Sequence, residues 1–415
     1  MNLDKGSRLS NPWWIVFAAF LGLSVSAMTI LNFSISILIK PISAEFEWGR
    51  STVSSAVAVA TLVLAISAPV IGRLIDIWGS RLVTLVAICL SSIATALMSL
   101  ATGDATAFLL LSIALGLCLA GQTPPAYAKA ITSAFDRSRG LALGIGMAGL
   151  GVGTALAPRL TQAILEVYGW RGAFVGLGLM IFLVAFPAVA IFLREPTAQP
   201  STSSAIHNLT DTKLPAGLTT SEVLRRLDFW ILVTVFVIVP MVCNGTIVHL
   251  HSLLTDRGLS AGVAAKVFSG IGASVFISRL LCGALLDRYF APYVAMLFLA
   301  LPALGALLLC MNLSTPLDIT GAMLVGVGLG AEIDLIAYLQ SRYFGMRAFG
   351  QVYGYLFMAF AIGAGLGPLG MGLSFDRAGS YQPVLIGFVA LMALAIYLLN
   401  RLPRLYPYPV TAESA

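Results

Sequence analysis

The stretch that decides the fold is GRLIDIWGSR, residues 72–81, a short charged turn between two long apolar runs. Its Gly72 and Asp76 recur as Gly283 and Asp287, 211 residues further along the chain. Six more residues recur at an offset of 210, so that Gly140, Gly144, Gly153, Pro158, Glu166 and Gly169 correspond to Gly350, Gly354, Gly363, Pro368, Asp376 and Gly379. Matches at nearly one offset, in equivalent places, predict two parallel repeats that fold into similar bundles.

Charged side chains are scarce along the whole chain of 415 residues. Lys and Arg number 24 and Asp and Glu 18, which together are 10% of the residues, whereas hydrophobic residues are 59%. An ordinary soluble domain carries about 25% charged residues. A chain with so little polar surface does not stay dispersed in water. The composition therefore excludes a soluble enzyme, a nucleic-acid-binding protein and a disordered scaffold, and it predicts an integral membrane protein.

The apolar runs occur in two sets of six. A membrane-spanning helix needs about 20 largely apolar residues, and such runs lie near 13–39, 52–75, 82–102, 106–130, 139–165, 172–193, 229–254, 262–286, 292–312, 317–341, 348–373 and 383–401. A polar segment rich in Ser, Thr and Pro separates the sets and is typical of a linker. We predict an N-terminal six-helix bundle at 1–193, a cytoplasmic linker at 194–226, a C-terminal six-helix bundle at 227–402 and a cytoplasmic tail at 403–415.

Lys and Arg are distributed unevenly between the two sides of these spans. If the N-terminus lies inside, 16 of them lie on the inner side, Arg159 and Arg279 fall within spans, and six lie on the outer side, namely Lys40, Arg50, Arg171, Arg257, Lys266 and Arg377. The positive-inside rule then predicts that both termini are cytoplasmic. The same rule accounts for the net charge of +6 without nucleic acid. We expect a multi-pass protein in the lipid bilayer of a cell membrane, and specifically of a bacterial inner membrane. We also expect it to be functional as a monomer.

Neither a metal site nor a cofactor is predicted. The five cysteines lie inside apolar runs and lack the spacing of metal ligands or of a disulfide framework, so they are interpreted as packing residues. The chain also lacks an evident nucleophile, a metal cluster or a phosphate-binding loop. An enzyme is therefore not expected.

Residues 72–81 resemble the signature of the loop between spans 2 and 3 in the major facilitator superfamily, although Ile77 stands where a basic residue is usual. Residues 135–149, FDRSRGLALGIGMAG, resemble the span 5 signature of the monocarboxylate porter family, which includes oxalate/formate-type exchangers. Three further stretches are similar to that family, at 168–171 before span 6, at 249–260 after span 7 and at 343–354 around span 11. The resemblance covers nearly the whole chain.

This resemblance implies the major-facilitator fold, with 12 transmembrane helices in two pseudo-symmetric six-helix bundles and a central site between them. It also implies a rocking motion that moves small organic anions, by proton coupling in some members and by anion exchange in others. In such a fold the glycines let helices approach closely, while carboxylates and guanidiniums latch the cytoplasmic side. The expected latch residues are Gly72, Asp76, Arg81, Asp287 and Arg288.

Three charges lie deep within the predicted spans, where a charge that faces lipid costs about 2.5–3.5 kcal/mol. The guanidinium of Arg279, in span 8, matches a carboxylate in bidentate geometry, and the resemblance implies a substrate-binding Arg in this span. The alternative is a structural pair with an acid or a helix terminus. Glu332 and Asp334, two residues apart in span 10, face directions about 200° apart. One of them is a candidate for proton coupling, and the alternative is a structural ion pair or polar network.

Uncharged polar residues and a histidine complete the candidate site. Asn32, Gln122 and Asn244 fall near the middle of spans 1, 4 and 7, where they can hydrogen-bond a substrate or a neighbouring helix. His249 lies near the outer end of span 7 and is a candidate gate or proton relay, because histidine titrates near neutral pH. An interfacial histidine without such a role is the alternative.

The features together predict a secondary active transporter of small organic monoanions, in which Arg279 holds the carboxylate and a proton moves with it. The predicted ligands are a small carboxylate and protons. Anion exchange is the first alternative. Efflux of hydrophobic drugs is the second, and the buried Arg279 argues against it. A transporter-like receptor is the third, and the short C-terminal tail argues against it.

Overall fold

The computed structural model describes residues 11–26, 34–48, 50–135, 138–194, 217–259 and 261–406. The first half contains α1 (Trp13–Ser24), α2 (Ile35–Phe46), α3 (Arg50–Trp78), α4 (Ser80–Leu97), α5 (Ala105–Leu119), α6 (Pro124–Ala134), α7 (Arg139–Met180) and α8 (Phe186–Phe192). The second half contains α9 (Thr220–Leu224), α10 (Leu227–Asp256), α11 (Ala261–Leu286), α12 (Ala291–Met311), α13 (Thr315–Phe344), α14 (Phe349–Ala378) and α15 (Gln382–Asn400).

The predicted spans correspond to helices of the structure. Nine helical stretches in the described ranges are long and apolar enough to cross a membrane. One of them, Arg139–Phe192, contains two passes because its backbone breaks at Gly169 (φ 68°, ψ −179°). The shorter apolar helices Trp13–Ser24 and Gly270–Leu286 supply the remaining passes. The all-α membrane fold with 12 spans is therefore confirmed, while the domain boundaries stay predictions.

Prolines mark the starts of several helices and one break. Pro292, Pro316 and Pro383 lie in the first two positions of α12, α13 and α15, where a missing N–H leaves no hydrogen bond unmade. In span 4, α5 is followed by a 3₁₀ turn, and Thr123 is extended (φ −90°, ψ 163°) before Pro124 begins α6. The helix breaks at the pair Pro124-Pro125, because neither proline has the backbone N–H that would continue the hydrogen bonding of α5.

The two halves meet along two helix pairs, which we call seams. The first seam joins α3 to α14, and the second joins α7 to α11. A Cβ atom at Gly72 would overlap the carbonyl oxygen of Gly350, and one at Gly140 would overlap the carbonyl oxygen of Gly283. Four of the residues that repeat along the sequence, Gly72, Gly140, Gly283 and Gly350, are therefore positions at which the backbones of the two halves touch.

The described end of the predicted linker lies on the loop between α13 and α14. The Leu218 N–H donates to the Phe344 carbonyl at 2.9 Å, and the Thr220 hydroxyl donates to the Gln351 side-chain oxygen at 2.7 Å. A reciprocal cap between Thr219 and Glu222 starts the short helix α9. Residues 195–216 of the predicted linker lie outside the described residues.

Candidate functional site

Asp76 joins the two halves at one end of the first seam. Its carboxylate accepts hydrogen bonds from the backbone N–H groups of Gly350 at 2.8 Å and Gln351 at 2.9 Å, in the first turn of α14. Lys129 forms an ion pair with the same carboxylate at 2.9 Å. A negative charge at a helix N-terminus is stabilising because the first N–H groups have no partner within the helix. We call this contact the first latch, and the end of the molecule that holds it the latch face.

Asp287 makes the equivalent contact on the second seam. It accepts from the N–H groups of Gly140 at 2.6 Å and Leu141 at 2.8 Å, in the first turn of α7. Burial raises the pKa of Asp287 above its ordinary value, although these two N–H groups act in the opposite direction. This second latch therefore joins the start of α7 to the second half through two backbone N–H groups.

The expected arginines of the latch have other positions. Arg81 donates to the carbonyl of Ala190 at 2.6 Å, within the first half, and Arg288 is exposed. The carboxylates of Asp76 and Asp287 bind backbone N–H groups of the opposite half instead. Gly72, Asp76 and Asp287 of the predicted latch therefore contact the opposite half, whereas no described hydrogen bond joins Arg81 or Arg288 to it. Lys129 is a partner that the sequence analysis missed.

In both seams the two helices are in contact near the latch face and are separated further from it. A Cβ atom at Gly354 would overlap the carbonyl oxygen of Ala68, and one at Gly144 would lie 2.9 Å from the carbonyl oxygen of Arg279. Further from the latch face, a Cβ atom at Gly365 of α14 or Gly151 of α7 would meet no described heavy atom within 4 Å. The helices of each seam therefore diverge, and a cleft opens toward the opposite face.

Arg279 lies where the second seam begins to open. Its side chain is buried, with 5% of its surface exposed. Its Nη1 donates to the carbonyl oxygen of Met147 at 2.7 Å, across the boundary between the two halves. No carboxylate oxygen among the described residues hydrogen-bonds this guanidinium. A permanent positive charge thus lies at the inner end of the cleft, and no described acidic residue forms an ion pair with it.

Glu332 and Asp334 are buried on different faces of α13. None of their four carboxylate oxygens has a hydrogen-bond partner among the described residues. A Cβ atom at Gly330, one turn before Asp334, would meet Val275 and Ser278 of α11, which is the helix of Arg279. A Cβ atom at Gly328, one turn before Glu332, would meet Cys243 of α10 and Pro302 of α12. Asp334 therefore faces the helix of Arg279, whereas Glu332 faces the interior of the second half.

The uncharged candidates keep unsatisfied polar atoms. Gln122 is fully buried at the break in span 4, and neither of its amide atoms has a partner among the described residues. Asn244 is half-buried, and its amide nitrogen has no hydrogen-bond partner among the described residues. The hydroxyl of Tyr127, which lies against Gly22, is another such group. Asn32 lies outside the described residues.

His249 lies apart from Arg279 and the two carboxyls. One ring nitrogen is 3.0 Å from the carbonyl oxygen of Pro368, and the other is 3.4 Å from the Tyr381 hydroxyl. Both partners belong to the second half, so the imidazole bridges α10, α14 and the start of α15. The structure therefore brings His249 into a contact within one half rather than to the cleft charges.

The family-like residues 168–171 form a clamp at the end of the first half opposite the latch face. Trp170 Nε1 donates to Glu45 at 2.5 Å, and Arg171 donates to the same carboxylate. The hydrogen bond from Arg171, together with that from Trp170, lowers the pKa of Glu45 below its ordinary value. This clamp joins α7 to α2 within the first half, so it is not a contact between the two halves.

The family model described as Major Facilitator Superfamily matches residues 19–368. The chain belongs to the major facilitator superfamily. Human monocarboxylate transporter 11 is 27% identical over 415 residues, which cover 95% of this chain and 83% of that protein. Mouse monocarboxylate transporter 12 is 27% identical over 353 residues, which cover 77% of this chain and 72% of that protein. The protein is therefore a membrane transporter related to the monocarboxylate transporters, and it is not an enzyme.

Solved structures of this superfamily have the same fold. The E. coli fucose:proton symporter superposes with a TM-score of 0.71 at 16% identity, over 94% of this chain and 98% of that one. A proton:xylose symporter gives a TM-score of 0.73 at 13% identity, over 95% of this chain and 96% of that one. In the described part of the chain, no cluster of three or more His, Cys, Asp or Glu side chains could hold a metal ion.

Proposed function

We propose that this superfamily member transports small organic monoanions, with the carboxylate of the substrate bound by Arg279. The supporting observation is the buried guanidinium at the inner end of the cleft, which has a carbonyl partner but no carboxylate partner in the described part of the chain. One Nη group is held by Met147, and the rest of the planar fork can pair with a single carboxylate. Gln122 and Asn244, with their unpaired amide atoms, are the proposed hydrogen-bonding partners of the rest of the substrate.

We further propose that a proton accompanies the anion and binds to Asp334. An ionised carboxylate without hydrogen-bond donors is unstable in a low-dielectric interior, and Asp334 faces the helix of Arg279. When the anion leaves, deprotonated Asp334 can neutralise the guanidinium, so that the empty carrier returns without a net buried charge. Glu332, which faces α10 and α12, and His249, which bridges α14 and α15, are the alternative proton sites of this proposal.

In this mechanism the monomer alternates between two orientations of its halves. We propose that the latch face is cytoplasmic, because most of the Lys and Arg lie on that side. The described conformation is then the outward-open one, with both latches made. Breaking the Asp76 and Asp287 contacts would allow the seams to separate at the cytoplasmic side.

The anchor is tested by ligand-induced thermal stabilisation of the purified protein. Acetate, benzoate and formate are added to the wild type, to Arg279→Lys and to Arg257→Lys. Arg257 is the matched control because its charge is paired with Asp318 at 2.6 Å, away from Arg279. We expect Arg279→Lys to bind its best ligand about tenfold more weakly or worse, since a hydrogen bond to a charged group contributes roughly 1.5–3 kcal/mol. Equal stabilisation of all three proteins by that ligand would show that Arg279 is not the anchor.

Anion exchange is the second candidate, and the unpaired guanidinium also supports it. If no carboxyl neutralises Arg279 in the empty carrier, a second anion must do so before the halves can move. Exchange is then recognised in proteoliposomes by uptake that requires a preloaded counter-anion and is indifferent to an imposed pH gradient. Symport is recognised by uptake that depends on the pH gradient and requires no preloaded counter-anion.

A further inference from the structure

Met147 and Gly151 lie one turn apart on the face of α7 that is turned toward α11. At about 100° per residue, positions 140, 144, 147 and 151 fall within roughly 60° of one another around the helix. Helix carbonyls point toward the C-terminus, and each lies beside the N–H of the residue four positions further on. The Met147 carbonyl oxygen that binds Arg279 Nη1 at 2.7 Å therefore lies beside the backbone of Gly151. The guanidinium ends next to a residue that has no side chain.

The space beside Gly151 is open on the same helix face that is closed nearer the latch. A Cβ atom at Gly140 would overlap the backbone of Gly283, and one at Gly144 would lie 2.9 Å from the carbonyl oxygen of Arg279. A Cβ atom at Gly151 would have no described heavy atom within 4 Å. Because the same face packs against α11 at Gly140 and Gly144, the opening at Gly151 belongs to the cleft rather than to the lipid-facing surface.

The opposite wall has a matching feature on the helix of Arg279 itself. Gly272 precedes Arg279 by seven residues, which is two turns, so both lie on one face of α11. A Cβ atom at Gly272 would likewise meet no described heavy atom within 4 Å. A carboxylate bound to Arg279 would thus have its carbon skeleton in a space that is bordered by two glycines.

We propose that Gly151 is a specificity-determining residue, whose missing side chain makes room for a bulky group on the carboxylate that Arg279 binds. The inference rests on the proposed function and narrows its substrate class to carboxylates that carry a branched or aromatic group beside the carboxyl carbon. A side chain at position 151 would occupy that room, while the smallest carboxylates would still fit.

The test is a graded series at this position, Gly151→Ala, Gly151→Val and Gly151→Leu, reconstituted in proteoliposomes. Initial rates of acetate and benzoate uptake are measured for each protein, and the ratio of the two rates is compared. We expect the ratio for alanine to stay near the wild-type value, because a Cβ has free space there. Leucine should raise the preference for acetate by about tenfold or more, since excluding part of a ligand from a fitted pocket changes selectivity by roughly 10–200-fold. Valine should be intermediate.

Gly365→Leu is the matched control, because this glycine is also open but lies on the first seam, away from Arg279. Its acetate-to-benzoate ratio should remain that of the wild type. The melting temperature of each variant shows whether it is folded. If Gly151→Leu does not fold, the acetate-to-benzoate ratio of Gly151→Val decides whether the inference holds. An unchanged ratio with valine and leucine, or an equal loss of both substrates in folded variants, would overturn the inference alone. Failure of the wild type to transport any carboxylate would overturn the proposed function and the inference together.

Discussion

At the scale of single residues, the same side-chain type has different roles because its neighbours differ. Arg279 and Arg257 are both buried or partly buried, yet Arg257 is paired with Asp318, whereas the described partner of Arg279 is a backbone carbonyl. Ion pairing neutralises the first charge, whereas the second is the one for which we propose a ligand. Burial cost alone identified Arg279, Glu332 and Asp334 from the sequence, but it could not reveal which partners they have.

The two buried carboxyls of α13 give a residue-scale prediction. Wild-type uptake should increase when the outside is made more acidic than the inside, because the proposed proton enters with the anion. Asp334→Asn should remove this stimulation and retain exchange of preloaded anion, since asparagine cannot release a proton. Glu332→Gln is the matched control, because Glu332 faces α10 and α12, and it should keep the stimulation. Uptake in proteoliposomes with an imposed pH gradient measures the effect, and loss of the stimulation in Glu332→Gln alone would instead assign the proton to Glu332.

At the scale of elements, the close approach of α7 to α11 depends on glycine at positions where the backbones touch. The pair Pro124-Pro125 accounts for the break in span 4, and the apolar runs predicted the spans to within a few residues. The five-residue π-helical stretch at Ile181–Ala185 was not predicted, since no residue type requires it. Sequence periodicity also does not distinguish Gly144, which is closed, from Gly151, which is open, because both fit one helix face.

Gly140→Ala should weaken the closed second seam. The added methyl group would overlap the Gly283 carbonyl, and overpacking of this kind costs about 1–3 kcal/mol. The amides of residues 140–144 and 283–287 should then exchange with deuterium several-fold faster than in the wild type. Gly151→Ala, on the same face but in open space, should leave this exchange unchanged. Equal protection in both variants would mean that the seam does not depend on contact at Gly140.

At the scale of the whole molecule, two latches related by the sequence repeat hold the same face closed. Asp76 binds the start of α14 and Asp287 the start of α7, so each half contributes a carboxylate and receives one. Each such charge at a helix N-terminus contributes roughly 0.3–1 kcal/mol, and up to about 2 kcal/mol when partly buried. In the proposed mechanism, two contacts of this size would keep the face closed without preventing it from opening.

Asp76→Asn and Asp287→Asn should therefore have similar, moderate effects, and the double variant should open the latch face. The separation of the halves can be measured as the distance between spin labels at Leu82→Cys and Tyr289→Cys, two exposed positions near that face. Each single variant should add a minor population at longer distance, and in the double variant this population should dominate. Arg81→Gln is the control, because Arg81 contacts Ala190 within one half. An unchanged distance in the double variant would refute the latch.

The sequence by itself determined the membrane environment, the number of spans, the repeat and the superfamily, because each follows from composition, periodicity or a motif of neighbouring residues. It also indicated which charges are costly to bury, and their functional role stays a prediction. Only the tertiary structure decided which groups these charged side chains bind. Asp76 and Asp287 bind backbone N–H groups, and Arg279 binds the Met147 carbonyl, all across the boundary between the halves. Backbone groups are alike at every residue, so the packing of the two bundles decides which backbone group each of these side chains binds.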